Sequence, residues 1–390
     1  MAPGNAGTAQ FAQNLDIDPA DVESLVMAAY DNKVNLTVVG PEAPLARGIA
    51  AHFHLRGMQI FAPTKGAAEI ESSKVFAKEL MQKYNIPCAR SVSFSDYDLA
   101  KEYLKKQKPP IVIKANGLAA GKGVVVADSL PQALEALSSF MQSKTLGASG
   151  DRVIIEEFLS GKEMSSFAFT DTHTTVPMAA ACDYKRVFDG DKGPNTGGMG
   201  SYSPPHFFTP ELGKTVAETI MVPAVKALQK ENRPYEGVLY GGLMITSDGP
   251  KALEFNARFG DPEAQVILPR LKTDLLDIIL AITDKKLDQI NIEWSDDACV
   301  GVVMTSAGYP EGYKTGFPIT GLDELDKDIL VFHAGTKVGT KQGEILTNGG
   351  RVLTVVATGK TVAAARKKVY ANISRIHFEG CHYRKDIAQL

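Results

Sequence analysis

The chain is poor in cysteine, and its cysteines never come in close pairs. Cys88, Cys182, Cys299 and Cys381 are scattered, with no CxxC between them. That argues against a structural zinc site and against a disulfide framework. Reduced, partly buried side chains in a cytoplasmic protein fit better. No apolar run reaches the roughly 18 residues of a membrane span. The opening residues, MAPGNAGTAQ, have neither the basic start nor the apolar core of a signal peptide. Charge of one sign is also missing. The formal net charge is -3, so nothing favours nucleic acid or an acidic membrane as partner, although a local basic pocket for a small anion is allowed. No Ser-His-Asp or Cys-His arrangement for nucleophilic catalysis is visible. A phosphate-binding P-loop is absent too. In Gly117-Leu118-Ala119-Ala120-Gly121-Lys122-Gly123 the first two glycines are too close and Gly123 stands where Ser or Thr should follow the lysine. A strand, VVVA, follows instead of a helix.

What is present suits a globular protein of several domains: 390 residues, 44% hydrophobic and 22% charged. Asp18 to Tyr30 reads as a helix capped by Asp18, and Leu36 to Val39 as a short buried strand. ARGIAAHFHLRGM is a second helix and QIFAP a second strand, an order that implies a parallel α/β sheet. Ser72 to Pro87 and Asp96 to Lys106 are capped helices. IVIKANGLAAGKGVVVAD reads as a hairpin with a flexible glycine tip, whose N–H groups can fold over phosphates. QALEALSSFMQS is a helix, and RVIIEEFLSGKEMSSFAFT is strand, loop, strand. Asp183 to Pro205 is a long loop dense in Gly and Pro, which is uncommon without a function. A long helix, ELGKTVAETIMVPAVKALQK, precedes a hairpin turning at Ser247-Asp248-Gly249. Beyond about Asn291 strands dominate until a helix over Thr361 to Ile376, which suggests a C-terminal α+β domain.

The chemistry concentrates in LEFNARFGDPEAQ, Leu253 to Gln265. Residues two apart on a strand share a face. Glu254 and Asn256 therefore project together with Arg258 nearby, while Phe255 and Ala257 face the core. Two oxygen ligands side by side suit Mg²⁺, which takes one or two protein ligands plus phosphate and water. Arg258 can grip a phosphoryl or carboxylate group bidentately, and Asp261 and Glu263 can hold an amine. The plain alternative is a salt-bridged strand end. Lys114 ends a buried strand and needs an anionic partner, and Lys74 opens a helix, where the dipole disfavours a cation. Each has an ordinary reading as an ion pair or a solvated lysine. Glu156-Glu157-Phe158-Leu159 ends another strand, and the acids with an exposed apolar pair can line an adenosine pocket. Glu163, further on, can accept from ribose hydroxyls or simply be solvated.

Together these pieces resemble the ATP-grasp superfamily, and within it the phosphoribosylamine–glycine ligases. The likeness rests on APGNAGT, VGPEAPL, SKVFAKELMQKYNIP, IKANGLAAGKGVVV, VIIEEFLSGKE, KRVFDGDKGPNTGGMGSYSP, LEFNARFGDPE and TNGGRVLTVVATG. It covers essentially the whole chain. The resemblance implies an α/β and α+β multidomain fold: a parallel α/β N-terminal domain over 1–64, an ATP-grasp core over 65–105 and 161–293, a mobile lid over 106–160, and a C-terminal α+β domain over 294–390. It implies ATP as co-substrate, Mg²⁺ or Mn²⁺ as metal, glycine and 5-phosphoribosylamine as substrates, and a monomer or weak oligomer in the cytoplasm. Lys74 and Lys114 would contact the phosphates, and Gly117, Gly121, Lys122 and Gly123 would cover them. Glu156, Glu157, Phe158 and Leu159 would meet adenine, Glu163 the ribose, and Glu254 and Asn256 the metal. Asp183, Lys185, Arg186, Asn195, Thr196, Gly197 and Gly198 would form the acceptor site, reached by Glu42 from the N-terminal domain.

Two departures stand out. Asn116 occupies a position where the family usually has aspartate. The family's opening strand, glycine-rich turn, helix and second strand are missing ahead of APGNAGT, so the N-terminal domain is expected to be truncated and to fold poorly. Two other readings stay open: a different ATP-grasp carboxylate–amine ligase or a carboxylase, and a nucleotide-binding protein with little or no activity.

Overall fold

The computed structural model describes residues 1–118 and 123–390, so the expectations for Gly121 and Lys122 lie outside the described residues. The N-terminal region holds α1 (Val22–Asp31), β1 (Leu36–Val38), α2 (Glu42–Arg47), α3 (Ile49–His54), β2 (Gln59–Phe61) and α4 (Lys65–Ser72). β1 and β2 pair in parallel, Thr37 against Ile60. The cap of α1 is Asp21, which accepts from Ser24 N at 3.1 Å, not Asp18. Asp18 instead closes the preceding turn by accepting from Ala20 N. The single helix expected after β1 is two, because Gly48 takes φ +83 between α2 and α3, a conformation open to glycine. β1 is only partly buried, with Val38 half exposed. Its one strand neighbour among the described residues is β2.

Next come α5 (Lys74–Lys83), β3 (Ser91–Phe94), α6 (Tyr97–Leu104), β4 (Ile111–Ala115), β5 (Val124–Ala127), α7 (Leu130–Met141) and β6 (Val153–Glu157). Ser73 caps α5 and Asp96 caps α6. The strands form an antiparallel sheet in the order β3-β6-β4-β5. With α6 and α7 it has a core of its own around Leu104, Ile113, Leu137, Phe140 and Ile155. β4 and β5 are the expected hairpin, with Lys114 opposite Val124.

β7 (Lys162–Asp171), β8 (Thr175–Pro177), β13 and β14 make the central antiparallel sheet, in the order β14-β13-β7-β8; β13 is Glu236–Thr246 and β14 is Gly249–Asn256. Between β8 and β13 lie β9 (Cys182–Asp183), β10 (Arg186–Phe188), β11 (Lys192–Asn195), β12 (Gly200–Ser203), α8 (Pro210–Val216) and α9 (Val222–Lys230). The long helix expected here is α8 and α9 joined by a π turn at Ala217–Met221.

The chain ends with α10 (Ala264–Ile267), α11 (Leu275–Thr283), β15 (Ala298–Thr305), β16 (Ile329–His333), β17 (Thr336–Val338), β18 (Ile345–Thr347), β19 (Arg351–Gly359) and α12 (Val362–Ile373). The loop expected over Asp183 to Pro205 is largely ordered strand. β10 and β11 form a small hairpin, while β9 and β12 join a five-stranded sheet, β16-β19-β15-β12-β9. That sheet crosses the domain boundary expected at 293. Its cause is apolar: Val187, Met199 and Tyr202 are buried in the same core as Val300, Val302 and Val355. Among the described residues no helix is long and apolar enough to cross a membrane.

Candidate active site

The site begins with an irregularity in β14. Asn256 pairs with Tyr240 and Glu254 with Gly242, yet Ala252 already pairs with Leu243. Leu253 is the extra residue of a bulge, whose backbone is left out of the ladder. Its carbonyl accepts from Lys114 Nζ at 3.1 Å. The expected division of faces holds: Phe255 and Ala257 are buried, Glu254, Asn256 and Arg258 only partly so.

Lys114 is fixed from a second side. Its Nζ lies 3.0 Å from Glu156 Oε2, and Lys78 Nζ lies 3.2 Å from Glu156 Oε1. All three side chains are buried. One carboxylate between two ammonium groups leaves a positive charge unbalanced, and a buried unbalanced charge attracts an anion. Glu156 is therefore a holder of Lys114, and its carboxylate is not presented to an adenosine pocket. Glu157 is likewise taken, by Arg90 Nε at 2.7 Å. Phe158 is exposed, but Leu159 is buried against Ala89 and Met244, so the expected exposed pair is a single ring.

Lys74 opens α5 and donates to Gly117 O at 3.1 Å. Burial pushes its ammonium pKa down, and the charge of Glu254 opposes this. Asn116 Oδ1 accepts from Val75 N (3.1 Å) and Ser73 Oγ (3.2 Å). The chain leaving β4 is thus tied to the N-terminus of α5. Gly117, at φ +89, sits at this tie, and Gly123 O accepts from Ala115 N across the hairpin.

Glu254 stands among cations. Burial pushes its carboxyl up, but Lys185, Lys74, Lys114 and Arg258 outweigh this and hold it below the usual carboxylate range. Arg258 is clamped: Nε donates to Glu42 at 2.9 Å, a second nitrogen lies 3.2 Å from Glu71, and a third donates to Phe259 O. Glu71 is buried and also accepts from Ala257 N at 2.8 Å. Burial pushes it to about 7, with Arg258 opposing. With its amide oriented so that the nitrogen donates to Glu71 (3.3 Å) and Phe255 O (3.0 Å), Asn256 keeps its oxygen available as an acceptor. Among the described residues no three His, Cys, Asp or Glu side chains are grouped to hold a metal. A carboxylate and an amide oxygen on one face, ringed by cations, instead fit a hard divalent ion that arrives with phosphate.

Opposite lies the expected acceptor side. Lys185 Nζ is 2.8 Å from Glu163. Asp183, Glu163, Tyr240 and Glu254 overcome burial and keep Lys185 firmly charged. Glu263 is buried and accepts from Ser165 Oγ at 2.9 Å. Burial, then the charge of Asp183, push it to about 7. Burial pushes Asp183 up as well. Asp261 has a partner from the C-terminal sheet. Arg351 holds it, with nitrogens at 2.5 and 3.3 Å from its two oxygens. Arg351 also donates to Gly197 O at 2.9 Å, and Gly197 N donates to Tyr309 OH. Thr196 is buried, donating to Lys185 O and accepting from Gly198 N. Gly198 has φ +115, and a Cβ there would lie 2.3 Å from Pro262 Cδ. Asn195 and Arg186 are exposed, and Arg186 donates to Gly193 O.

Sequence reasoning missed Glu71, Lys78, Ser165 and Arg351. Lys78 carried a signal, since it lies four residues after Lys74 and so on the same face of α5. The others carried none, because their partners are remote in sequence.

Family models named phosphoribosylglycinamide synthetase match most of the chain: the N domain over residues 1–71, the ATP-grasp (A) domain over 72–264 and the C domain over 299–390. The phosphoribosylamine–glycine ligase of Caldanaerobacter subterraneus subsp. tengcongensis is 50% identical over 99% of this chain and 92% of its own. That of Escherichia coli O157:H7 is 48% identical over 99% and 91%. Among solved structures, the phosphoribosylamine–glycine ligase of Thermotoga maritima superposes with a TM-score of 0.86 at 35% identity, covering 99% of this chain and 93% of that one. A biotin carboxylase from Campylobacter jejuni, 14% identical with a TM-score of 0.74 over 95% and 81%, shares the fold. With all three domains matched and about half of all positions shared with such relatives, this chain belongs to the phosphoribosylamine–glycine ligase family.

Proposed function

We propose that this chain joins glycine to 5-phosphoribosylamine, converting ATP to ADP and phosphate and giving glycinamide ribonucleotide for purine synthesis. The observation that carries the reading is the Glu254–Asn256 pair on one face of β14, surrounded by Lys74, Lys114, Lys185 and Arg258. A glycine carboxylate oxygen attacks the γ-phosphorus of ATP, ADP leaves, and glycyl phosphate forms. The amine then attacks the acyl carbon, loses a proton and expels phosphate. Phosphoryl transfer asks for positioning and charge stabilisation more than covalent chemistry. Lys74 and Lys114 supply cations at the phosphates, with Glu156 and Lys78 holding Lys114 in place. Arg258, clamped by Glu42 and Glu71, grips the transferring phosphoryl or carboxylate group. Glu254 and Asn256 would hold Mg²⁺ or Mn²⁺, which would supply charge neutralisation at the phosphoryl group.

The Gly117–Gly123 stretch covers the phosphates and keeps water from the acyl phosphate. Glu156 to Leu159 border adenine through backbone and Phe158, and Glu163 faces the ribose. Asp183, Lys185, Arg186 and Asn195 to Gly198 receive the acceptor amine, with Asp261 and Glu263 behind them. Glycine and phosphoribosylamine are small, so no nucleic acid or membrane is involved. The four free cysteines fit the reducing cytoplasm, and a monomer or weak oligomer suffices. A coupled ADP assay tests the reading. ADP release should require both glycine and freshly generated phosphoribosylamine. Release with another carboxylate–amine pair, but not with this one, would overturn it.

A further inference from the structure

Among the described residues Arg384 is the largest fully buried side chain, and it lies near the end of the chain, outside the site described above. Its guanidinium makes four hydrogen bonds. Two nitrogens donate to the two oxygens of Asp386, both at 2.7 Å, and the third donates to Arg186 O (3.0 Å) and Asp191 (2.9 Å). The group also lies over the Tyr184 ring, 4.9 Å from its centroid. Neighbouring residues follow suit. His382 Nε2 is 2.9 Å from Val187 O, and its ring packs edge-on to Phe188. Lys385 N donates to Asp189 at 2.8 Å, Asp386 accepts from Gly190 N at 2.8 Å, and Ala388 N donates to Tyr184 OH at 3.0 Å. Almost every residue from 184 to 191 is held by the short segment 382–388. That segment is in turn fixed to α12, since Tyr370 OH donates to Arg384 O at 2.7 Å.

Asp183 and Lys185 lie in and beside the held stretch, and Thr196 hangs from Lys185 O. We propose that residues 382–388, keyed by Arg384, are the positioning element of the acceptor-amine site. Arg384 touches no substrate. It fixes the backbone from which Asp183 and Lys185 enter the cleft. A buried guanidinium with a bidentate carboxylate and a backbone acceptor has one low-energy geometry, which suits a template. This inference rests on the reading of the loop as the acceptor site.

The test uses Arg384→Lys, which keeps the charge and loses the fork, and Asp191→Asn, which removes the charge of one exposed partner and leaves the core alone. The loss of charge-assisted hydrogen bonds should raise KM for the amine about 10-fold in the first variant and about 3-fold in the second. KM for ATP and for glycine should stay near wild type. Arg384→Gln should be worse than Arg384→Lys. Hydrogen exchange reads the same claim without turnover: amides of 184–198 should exchange faster in Arg384→Lys, and those of β13 and β14 should not. Unchanged amine KM in both variants, or parallel rises for all three substrates, would overturn the proposal. Unchanged exchange in the loop would overturn it even if the wild-type protein proved to ligate some other pair. Should Arg384→Lys fail to fold, Asp191→Asn decides by the same two readouts.

Discussion

Arg258 shows how far a side chain's role depends on partners that its own neighbourhood does not reveal. The alternation of Glu254, Asn256 and Arg258 was readable because strand period alone puts acid and amide together. The clamp was not, because Glu71 lies 186 residues from Ala257, whose N–H it accepts. Glu71→Gln keeps the shape and removes the charge facing Arg258. Turnover should fall about 10- to 100-fold through loss of a charge-assisted contact, while binding of a non-hydrolysable ATP analogue, measured by calorimetry, should change little. Glu263 gives a pH signature. Its folded carboxyl titrates near 7 against an ordinary 4.5. Between those values the folded state binds the extra proton, so stability of the ligand-free protein should fall as pH rises through that window and level off above it. Urea midpoints across that range should show the slope, and Glu263→Gln should reduce it, leaving the part due to Glu71, which burial also raises to about 7. A wild-type midpoint that rises with pH there would contradict the assignment.

The helices and strands around the site differ in how much of their placement is local. β4, β5, α5, α7 and β14 follow from caps, β-branched runs and periodicity, and all of them form as expected. The 183–205 segment misled because its glycines and prolines suggest irregular chain, while β12 finds its pairing partner, β15, about a hundred residues on. The first helix was misplaced because Asp18 and Asp21 both look like caps, and the closer one wins. Gly198 in this segment needs its positive φ and its missing Cβ. Gly198→Ala should cost about 1–3 kcal/mol of backbone strain and should raise KM for the acceptor more than KM for ATP. Asn116 ties β4 to α5. Asn116→Ala removes two hydrogen bonds to the N-terminus of α5, worth about 1 kcal/mol each, and should lower the melting temperature and weaken ATP-analogue binding together. A melting temperature unchanged within error would contradict the tie.

Taken whole, the molecule assembles its site from every region of the chain. Glu42 comes from the N-terminal region, Lys74 and Lys114 from α5 and the β4–β5 hairpin, Glu254 and Asn256 from the central sheet, and Arg351 from the C-terminal sheet. The order of regions was legible in the motifs. The strand pairing across position 293 was not, because β9 and β12 join by pairing and burial a sheet built mainly from later residues. On the function proposed above, Glu254 and Asn256 would hold a divalent ion against the phosphates of ATP. The direct measurement is ADP release dependent on glycine and phosphoribosylamine, for the Glu254→Ala/Asn256→Ala double variant beside wild type, across a range of Mg²⁺ concentrations. Turnover should fall by about 10³-fold, with an unchanged melting temperature and no recovery at high Mg²⁺. Undiminished glycinamide synthesis by a folded double variant would contradict it.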